Sequence, residues 1–312
     1  MAADFQIFGP AYAFVDGKLD QYLGASASRM IGEVAGPLRA ALVLYVLLYG
    51  FAILRGAIAE PMIDFAVRSV KLALIVMLVS TAAYGSWVTQ PLFHGLPDTL
   101  ARAVAGTPSG DPGAAFDQFF NRAAYLGEKI ASEATLTDPL PLLVSGAVFV
   151  IGALAAALGF GVAMLSKVAL ALLVALGPAF IACALFEASR RYFFGWLAQA
   201  VNYLVLFALI LAIFQLVLAV VAQEWSSIDG SDPMSGGLMF IGLSLLGAIF
   251  FLQTPAIAAG IAGGASLGLA DFGNAVSMGL GGGAPFRGAR ASGGRPQTPR
   301  QGGSIRPVGA RV

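Results

Sequence analysis

Long apolar stretches that carry almost no charge are the feature that most constrains the fold of this chain. A transmembrane helix needs about 20 apolar residues to cross about 30 Å of hydrocarbon. Four stretches come close to that length, at about 38–54, 72–90, 198–222 and 238–262. A fifth, 142–186, is too long for one span and is interrupted by Lys167. These stretches predict an all-α integral membrane protein with about five transmembrane helices.

The composition excludes a soluble enzyme, a disordered chain and a disulfide-stapled secreted domain. Of the 312 residues, 58% are hydrophobic and 11% are charged, whereas soluble domains average about 25% charged residues. A single cysteine, Cys183, cannot form an internal disulfide or a cysteine-rich metal site. His94 has no nearby His or Cys partner, and the chain has no P-loop. We therefore expect no catalytic, cofactor-binding or metal-binding residues, and no enzymatic activity.

Two amphipathic segments accompany the apolar stretches. Residues 11–35 place apolar side chains close to a 3.6-residue period, with Asp16 among the polar residues on the other faces. We expect this segment to lie on the membrane surface or to pack on a partner. The loop 91–141 is predicted to carry a second amphipathic helix at about 112–135, which is stopped by the prolines near 140. Its apolar stripe could line a channel, dock a partner or pack onto the spans.

The distribution of positive charge predicts the orientation. The loop 55–71 carries three Lys or Arg residues, and six arginines follow residue 280, whereas 223–237 carries none. Lys and Arg concentrate on the inner side of membrane proteins. We therefore predict five spans, with the N-terminus outside and the C-terminus inside. A sixth span would force one terminus to the unexpected side.

The same reasoning divides the chain into five regions. They are an N-terminal amphipathic segment (1–37), the first two spans (38–90), an outer loop (91–141), a membrane core (142–268) and a disordered inner tail rich in Gly, Pro and Arg (269–312). Within the core, the crossing is assigned to 168–186. The small-residue-rich part at 142–165 is expected to be a buried, re-entrant or tilted helix.

The segment 177–197 is the most informative part of the chain. Pro178 invites a kink in the preceding span. Glu187 precedes Arg190 and Arg191 by three and four residues, so both could pair with it on one helical face. The aromatic residues of the segment would form a belt at headgroup depth. On physical grounds alone, the segment is typical of an ordinary membrane–water boundary.

The same segment resembles the signature of the TrbL / VirB-six proteins, inner-membrane components of type IV secretion and conjugation machines. The matching residues are Gly177, Pro178, Phe180, Phe186, Glu187, Arg190, Arg191, Phe194, Gly195 and Trp196. A second stretch resembles the last span of that family at Gln253, Pro255 and Gly260. The resemblance covers roughly residues 10–270, and it implies five spans with a periplasmic N-terminus.

The resemblance also implies a function. Such a protein forms part of the translocation path for DNA or protein and supports pilus assembly. Its implied partners are other inner-membrane core proteins, pilus base subunits, cytoplasmic ATPases, further copies of itself, membrane lipid and, transiently, translocating DNA. Trp196 could fix the inner loop for assembly, or it could be an interfacial belt residue. The arginine pair and the arginine-rich tail could bind phosphates, or they could only set the topology.

Two other classes of function remain open from the sequence. A stand-alone secondary transporter, or a small-solute channel, would place ionisable residues at mid-membrane, and the predicted spans are almost free of charge. A membrane enzyme would need a cluster of Ser with His or Asp, which the chain lacks. The secretion subunit is therefore the leading interpretation, and the transporter is the alternative.

Overall fold

The computed structural model describes residues 5–56, 62–105, 112–135, 138–230 and 232–279, which form helices joined by short connections. The helices are α1 (Phe8–Leu54), α2 (Met62–Leu78), α3 (Thr81–Tyr84), a π-helix (Gly85–Gly95), α4 (Leu96–Ala105), α5 (Pro112–Ala131), α6 (Leu140–Ala182) with a 3-10 turn (Cys183–Leu185), α7 (Arg190–Gly230) and α8 (Pro233–Gly279). No strand occurs among these residues apart from one isolated bridge. The predicted all-α fold is confirmed.

Four helices of the described chain are long and apolar enough to cross a membrane: α1, α6 with its 3-10 turn, α7 and α8. The bent segment from α2 to α4 is a fifth if its two arms count as one span. This agrees with the predicted number of about five. The structure also continues α8 to Gly279, so residues 269–279, which the sequence assigned to the tail, are helical. The tail beyond 280 lies outside the described residues.

Two pairs of predicted segments are single helices in the structure. The amphipathic segment 11–35 and the apolar stretch 38–54 form one helix of 47 residues, which continues through Pro37. Neighbouring helices stabilise such an interruption, because their packing offsets the one lost backbone hydrogen bond. The parts 142–165 and 168–186 likewise belong to the 43-residue helix α6 and the turn after it. At 1.5 Å per residue, α6 is about 65 Å long.

The predicted span at 72–90 is not one continuous helix in the structure, because α2 ends at Leu78 and α3 begins at Thr81. The chain bends by 88° between α2 and the helices that follow. At the bend, the Ser80 hydroxyl donates to the carbonyl of Met77, one turn back. Further on, Pro91 lacks the amide hydrogen that a regular α-helical turn requires, and the backbone around it forms the π-helix.

Two large hydrophobic clusters, one above the other along α6, and a smaller one around Leu170, Ala200 and Leu204 build the core of the described residues. The α5 cluster packs the apolar stripe of α5 against the first half of α6, the second half of α7 and the first half of α8. The Trp196 cluster packs the middle of α1, the end of α2 and the π-helix against the second half of α6 and the start of α7. The packing alternative for the α5 stripe is thus the one that the structure supports.

The apolar stretches of α1 and α8 lie at different levels of the molecule. Near the start of α8, Gly237 lies against Val148 of α6. In α1, the Tyr45 ring contacts Phe186, just past the end of α6, at 6.0 Å between ring centroids. About 40 residues of α6 separate these two levels, which corresponds to about 60 Å. The predicted apolar stretches therefore do lie on apolar surface, but those of α1 and α8 do not lie at the same depth in a membrane.

Candidate functional site

Trp196 is a core residue. Only 4% of its surface is exposed, and its indole N–H donates to the carbonyl of Leu173 at 2.8 Å. Phe180 stacks on the indole with ring centroids 6.4 Å apart. The alternative of an interfacial belt residue is therefore wrong for Trp196, because the ring joins α7 to α6 inside the protein.

Pro178 explains why other side chains converge on this part of α6. In an α-helix, the amide of residue 178 would donate to the carbonyl of Val174, four residues earlier. Proline has no amide hydrogen, so this carbonyl needs another donor. The hydroxyl of Tyr84 donates to the carbonyl of Val174. Tyr84, which follows the bend after α2, thus replaces the donor that Pro178 lacks.

Gly177 makes room for this arrangement. A Cβ atom at position 177 would overlap the Tyr84 hydroxyl and would lie 3.0 Å from the Trp196 ring. The glycine, the proline and the tryptophan of the signature therefore form one packing unit with Tyr84. The sequence indicated the first three residues, but it carried no signal for Tyr84, which stands about 90 positions away.

The remaining residues of the signature do not belong to this unit in the same way. Residues 186–189 are not helical, and no described ion pair joins Glu187 to either arginine, so the predicted pairing is wrong. The helix is interrupted where the Ser189 hydroxyl donates to the carbonyl of Cys183 at 2.6 Å. Arg191 instead stacks on the Tyr192 ring, with the guanidinium carbon 4.9 Å from the ring centroid.

The other aromatic and glycine positions around Trp196 differ in their surroundings. Phe186 contacts the Tyr45 ring of α1, and Phe194 packs edge-on against Phe193 at 5.4 Å. Gly195 faces open space, since a Cβ atom there would meet nothing within 4 Å. Steric need therefore explains the glycine at 177 and does not explain the one at 195.

The second motif lies elsewhere. Gln253, Pro255 and Gly260 are all exposed on α8, and none of them reaches the Trp196 cluster. The inward positions of this stretch are Thr254 and Ala258, which are fully buried. The structure therefore does not bring the two motifs together.

A buried ion pair joins α1 to α6, and sequence analysis missed it. Lys167 is 2% exposed and Asp16 is 28% exposed, and the lysine Nζ atom lies 2.8 Å from the Asp16 carboxylate. Three aromatic rings surround the ammonium group, with centroids at 4.7 Å (Phe93), 5.6 Å (Tyr12) and 5.8 Å (Phe207). A lone lysine inside an apolar stretch of more than forty residues was the available signal.

A second contact lies one helical turn further along α1. The Nε2 atom of His94 is 3.0 Å from the Asp20 carboxylate. Asp16 and Asp20 therefore share one face of α1, directed at α6 and at the π-helix. The sequence pattern had assigned Asp16 to the polar faces, because it could not show which neighbour α1 would meet.

The start of α1 is capped by a side chain from another helix. The Asp117 carboxylate of α5 accepts the backbone N–H groups of Ile7, Phe8 and Gly9, each at 2.8 Å. An acidic group stabilises a helix N-terminus in this way because the first amides have no partner within the helix. Gly113 permits the approach, since a Cβ atom there would lie 2.6 Å from Cα of Gly9.

One serine pattern of hydrolases also occurs in the chain. Ser266 stands in a Gly-x-Ser-x-Gly sequence. A nucleophile elbow requires a sharp turn between a strand and a helix, but residues 264–268 lie within helix α8. The pattern therefore does not indicate a nucleophile.

These features together define a class. The chain is a multi-pass helical membrane protein in which a proline-centred packing unit and a buried ion pair join the helices. A family model described as "TrbL/VirB6 plasmid conjugal transfer protein" matches residues 42–254. The chain belongs to this family, and the predicted resemblance is confirmed.

Individual relatives agree with this assignment. The chain is 23% identical over 266 residues to the "Type IV secretion system protein VirB6" of Bartonella henselae, covering 83% of this chain and 81% of that one. It is 27% identical over 244 residues to "Protein VirB6" of Agrobacterium tumefaciens, covering 74% of this chain and 81% of the relative.

The first prediction concerns the Tyr84 hydroxyl, which replaces the amide donor that Pro178 lacks. Tyr84→Phe removes the hydroxyl and leaves the Val174 carbonyl buried without a donor, which costs about 1–3 kcal/mol. We expect a lower unfolding temperature in detergent, measured by circular dichroism. Tyr22→Phe is the matched control, because Tyr22 is 43% exposed. Equal stability of the two variants would contradict the role assigned to Tyr84.

The second prediction concerns the ion pair. Lys167→Met leaves the Asp16 carboxylate without its partner. Because Asp16 is 28% exposed, we expect a loss of stability below the about 3–5 kcal/mol that breaking a fully buried pair costs. In the double variant with Asp16→Leu no unpaired charge remains, so we expect stability to return most of the way. Lys18→Met is the control, since Lys18 is exposed on the same helix. Additive losses in the double variant would refute a direct pairing.

Proposed function

We propose that this chain is an inner-membrane channel or scaffold subunit of a type IV secretion system. In this role it forms part of the translocation path for DNA or protein substrates and supports pilus assembly. Membership of the TrbL/VirB6 family carries the proposal, and relatives named as type IV secretion proteins agree with it. Other inner-membrane core proteins, pilus base subunits, cytoplasmic ATPases and further copies of the chain are its proposed partners.

The structure supports a scaffold role through the length of its helices. The helices α1 and α8 have 47 residues each, about 70 Å at 1.5 Å per residue, and the hydrocarbon layer is about 30 Å thick. The chain therefore extends well beyond one membrane thickness. A subunit of that length can contact partners on both sides of the membrane.

The third prediction tests the function at Trp196. An in-frame deletion strain should lose conjugation or effector delivery together with pili, and the wild-type gene should restore them. Trp196→Ala removes the indole that joins α6 to α7, so we expect transfer to fall by at least an order of magnitude. Trp87→Ala is the matched control, because Trp87 is 67% exposed. Each variant is first checked by immunoblotting for normal insertion and amount.

Two results would contradict the proposal at different levels. Normal transfer and normal pili in the deletion strain would refute a role in secretion. Restoration by Trp196→Ala to the level of Trp87→Ala would leave the secretion role intact and refute the importance of the buried indole.

The fourth prediction concerns the proposed orientation, with the N-terminus periplasmic and the C-terminus cytoplasmic. In a Cys183→Ala background, Ser304→Cys should react with a membrane-impermeant maleimide only after the cells are opened. Ser28→Cys, at an exposed position of α1 before the apolar stretch, should react in intact spheroplasts. Labelling of position 304 in intact spheroplasts would contradict a cytoplasmic C-terminus.

One observation favours the alternative function of a secondary transporter. Ion-coupled transporters keep ionisable residues inside the membrane region, and the Lys167–Asp16 pair is such a group. Flux of a solute into liposomes that contain this protein alone would favour the transporter. Loss of that flux in Lys167→Met would assign it to the ion pair.

A further inference from the structure

A groove of about 340 Å³ lies between α1 and the end of α6. Its walls are formed by Pro37, Leu38 and Ala41 on α1 and by Ala179, Ala182 and Phe186 on the other side. The volume lies within the range of about 300–1,000 Å³ that is usual for ligand pockets. Three alanines leave this space open, where larger apolar side chains would close it.

The lining offers an occupant almost no polar partner. Ser189 lines the groove, but its hydroxyl already donates to the Cys183 carbonyl at 2.6 Å. Glu33 also lines the groove and is exposed on α1. Water needs two to four polar partners to be held in a cavity. The remaining walls are apolar, so they favour an apolar occupant.

The surroundings of the groove indicate which apolar occupant is available. The groove adjoins the apolar stretch of α1, whose side chains Val43, Leu44 and Leu47 are 58%, 53% and 66% exposed. Within the bilayer, lipid chains cover exposed apolar surface of this kind.

We propose that this groove binds one acyl chain of a membrane phospholipid. The proposal depends on the membrane location of the protein and not on its role in secretion. The experiment below uses the purified full-length chain, so its failure would leave the proposed function untouched.

Cys183 provides a reporter that requires no substitution. It is the only cysteine in the chain, and it lines the groove. An acyl chain in the groove would shield its thiol from a small alkylating reagent. The rate of alkylation by N-ethylmaleimide therefore measures the unoccupied fraction.

The test starts with protein that has been stripped of lipid in detergent. Dioleoylphosphatidylglycerol is then added, and the rate of Cys183 alkylation is followed by mass spectrometry. At about ten times its dissociation constant, the lipid should slow the reaction about tenfold, because only the free fraction reacts. Dihexanoylphosphatidylglycerol, with the same headgroup and short chains, should give little protection.

Two variants with a matched control locate the effect. Ala41→Leu fills the groove, so added lipid should no longer change the rate at Cys183. Ala40→Leu adds the same side chain at the neighbouring exposed position, and it should keep the wild-type response. If Ala41→Leu does not give a monodisperse, helical protein, Ala182→Leu fills the groove from the opposite wall.

Three results would overturn the proposal. The first is an alkylation rate in wild type that does not respond to the long-chain lipid. The second is equal protection by the short-chain lipid, which would indicate a headgroup site instead of a chain site. The third is full lipid protection in a well-folded groove-filling variant.

Discussion

Inside a membrane, a backbone carbonyl without a donor cannot turn to water, and this constraint organises the centre of the protein. Pro178 leaves the Val174 carbonyl without its helical donor, and the Tyr84 hydroxyl supplies one. To bring Tyr84 there, the chain bends by 88° after α2. The same contact requires glycine at 177 and leaves the space that the Trp196 ring closes. One proline thus connects the bend, α6 and α7.

The carboxylates of Asp16 and Asp117 set the position of α1, which apolar packing alone would not fix. Apolar stripes on long helices fit one another in several registers, but the Asp16–Lys167 pair is complete in only one of them. A buried ion pair adds little net stability, so its contribution here is to penalise the wrong registers. The Asp117 carboxylate, which caps the start of α1, also penalises the wrong registers. Together they fix the long helix at two levels along its length.

The sequence predicted the helical class, the number of apolar helices and the family, because these depend on local composition and on one compact motif. It missed what depends on partners far away in the chain. Glu187 does not pair as predicted, since residues 186–189 are not helical and the two arginines are not on the same helix as Glu187. Lys167 looked like a junction because its partner stands about 150 residues earlier. Tyr84 gave no local signal at all.

The exposed apolar surface is longer than a lipid bilayer can cover. On α6, Leu143 and Leu176 are 70% and 44% exposed, and they lie about 50 Å apart along the helix. The hydrocarbon layer is about 30 Å thick, and an ordinary tilt of about 20° shortens the helix by only a few ångströms. Part of this surface must therefore be covered by protein. A subunit of a larger machine has neighbours that can cover it, so the length of α6 agrees with the scaffold proposal.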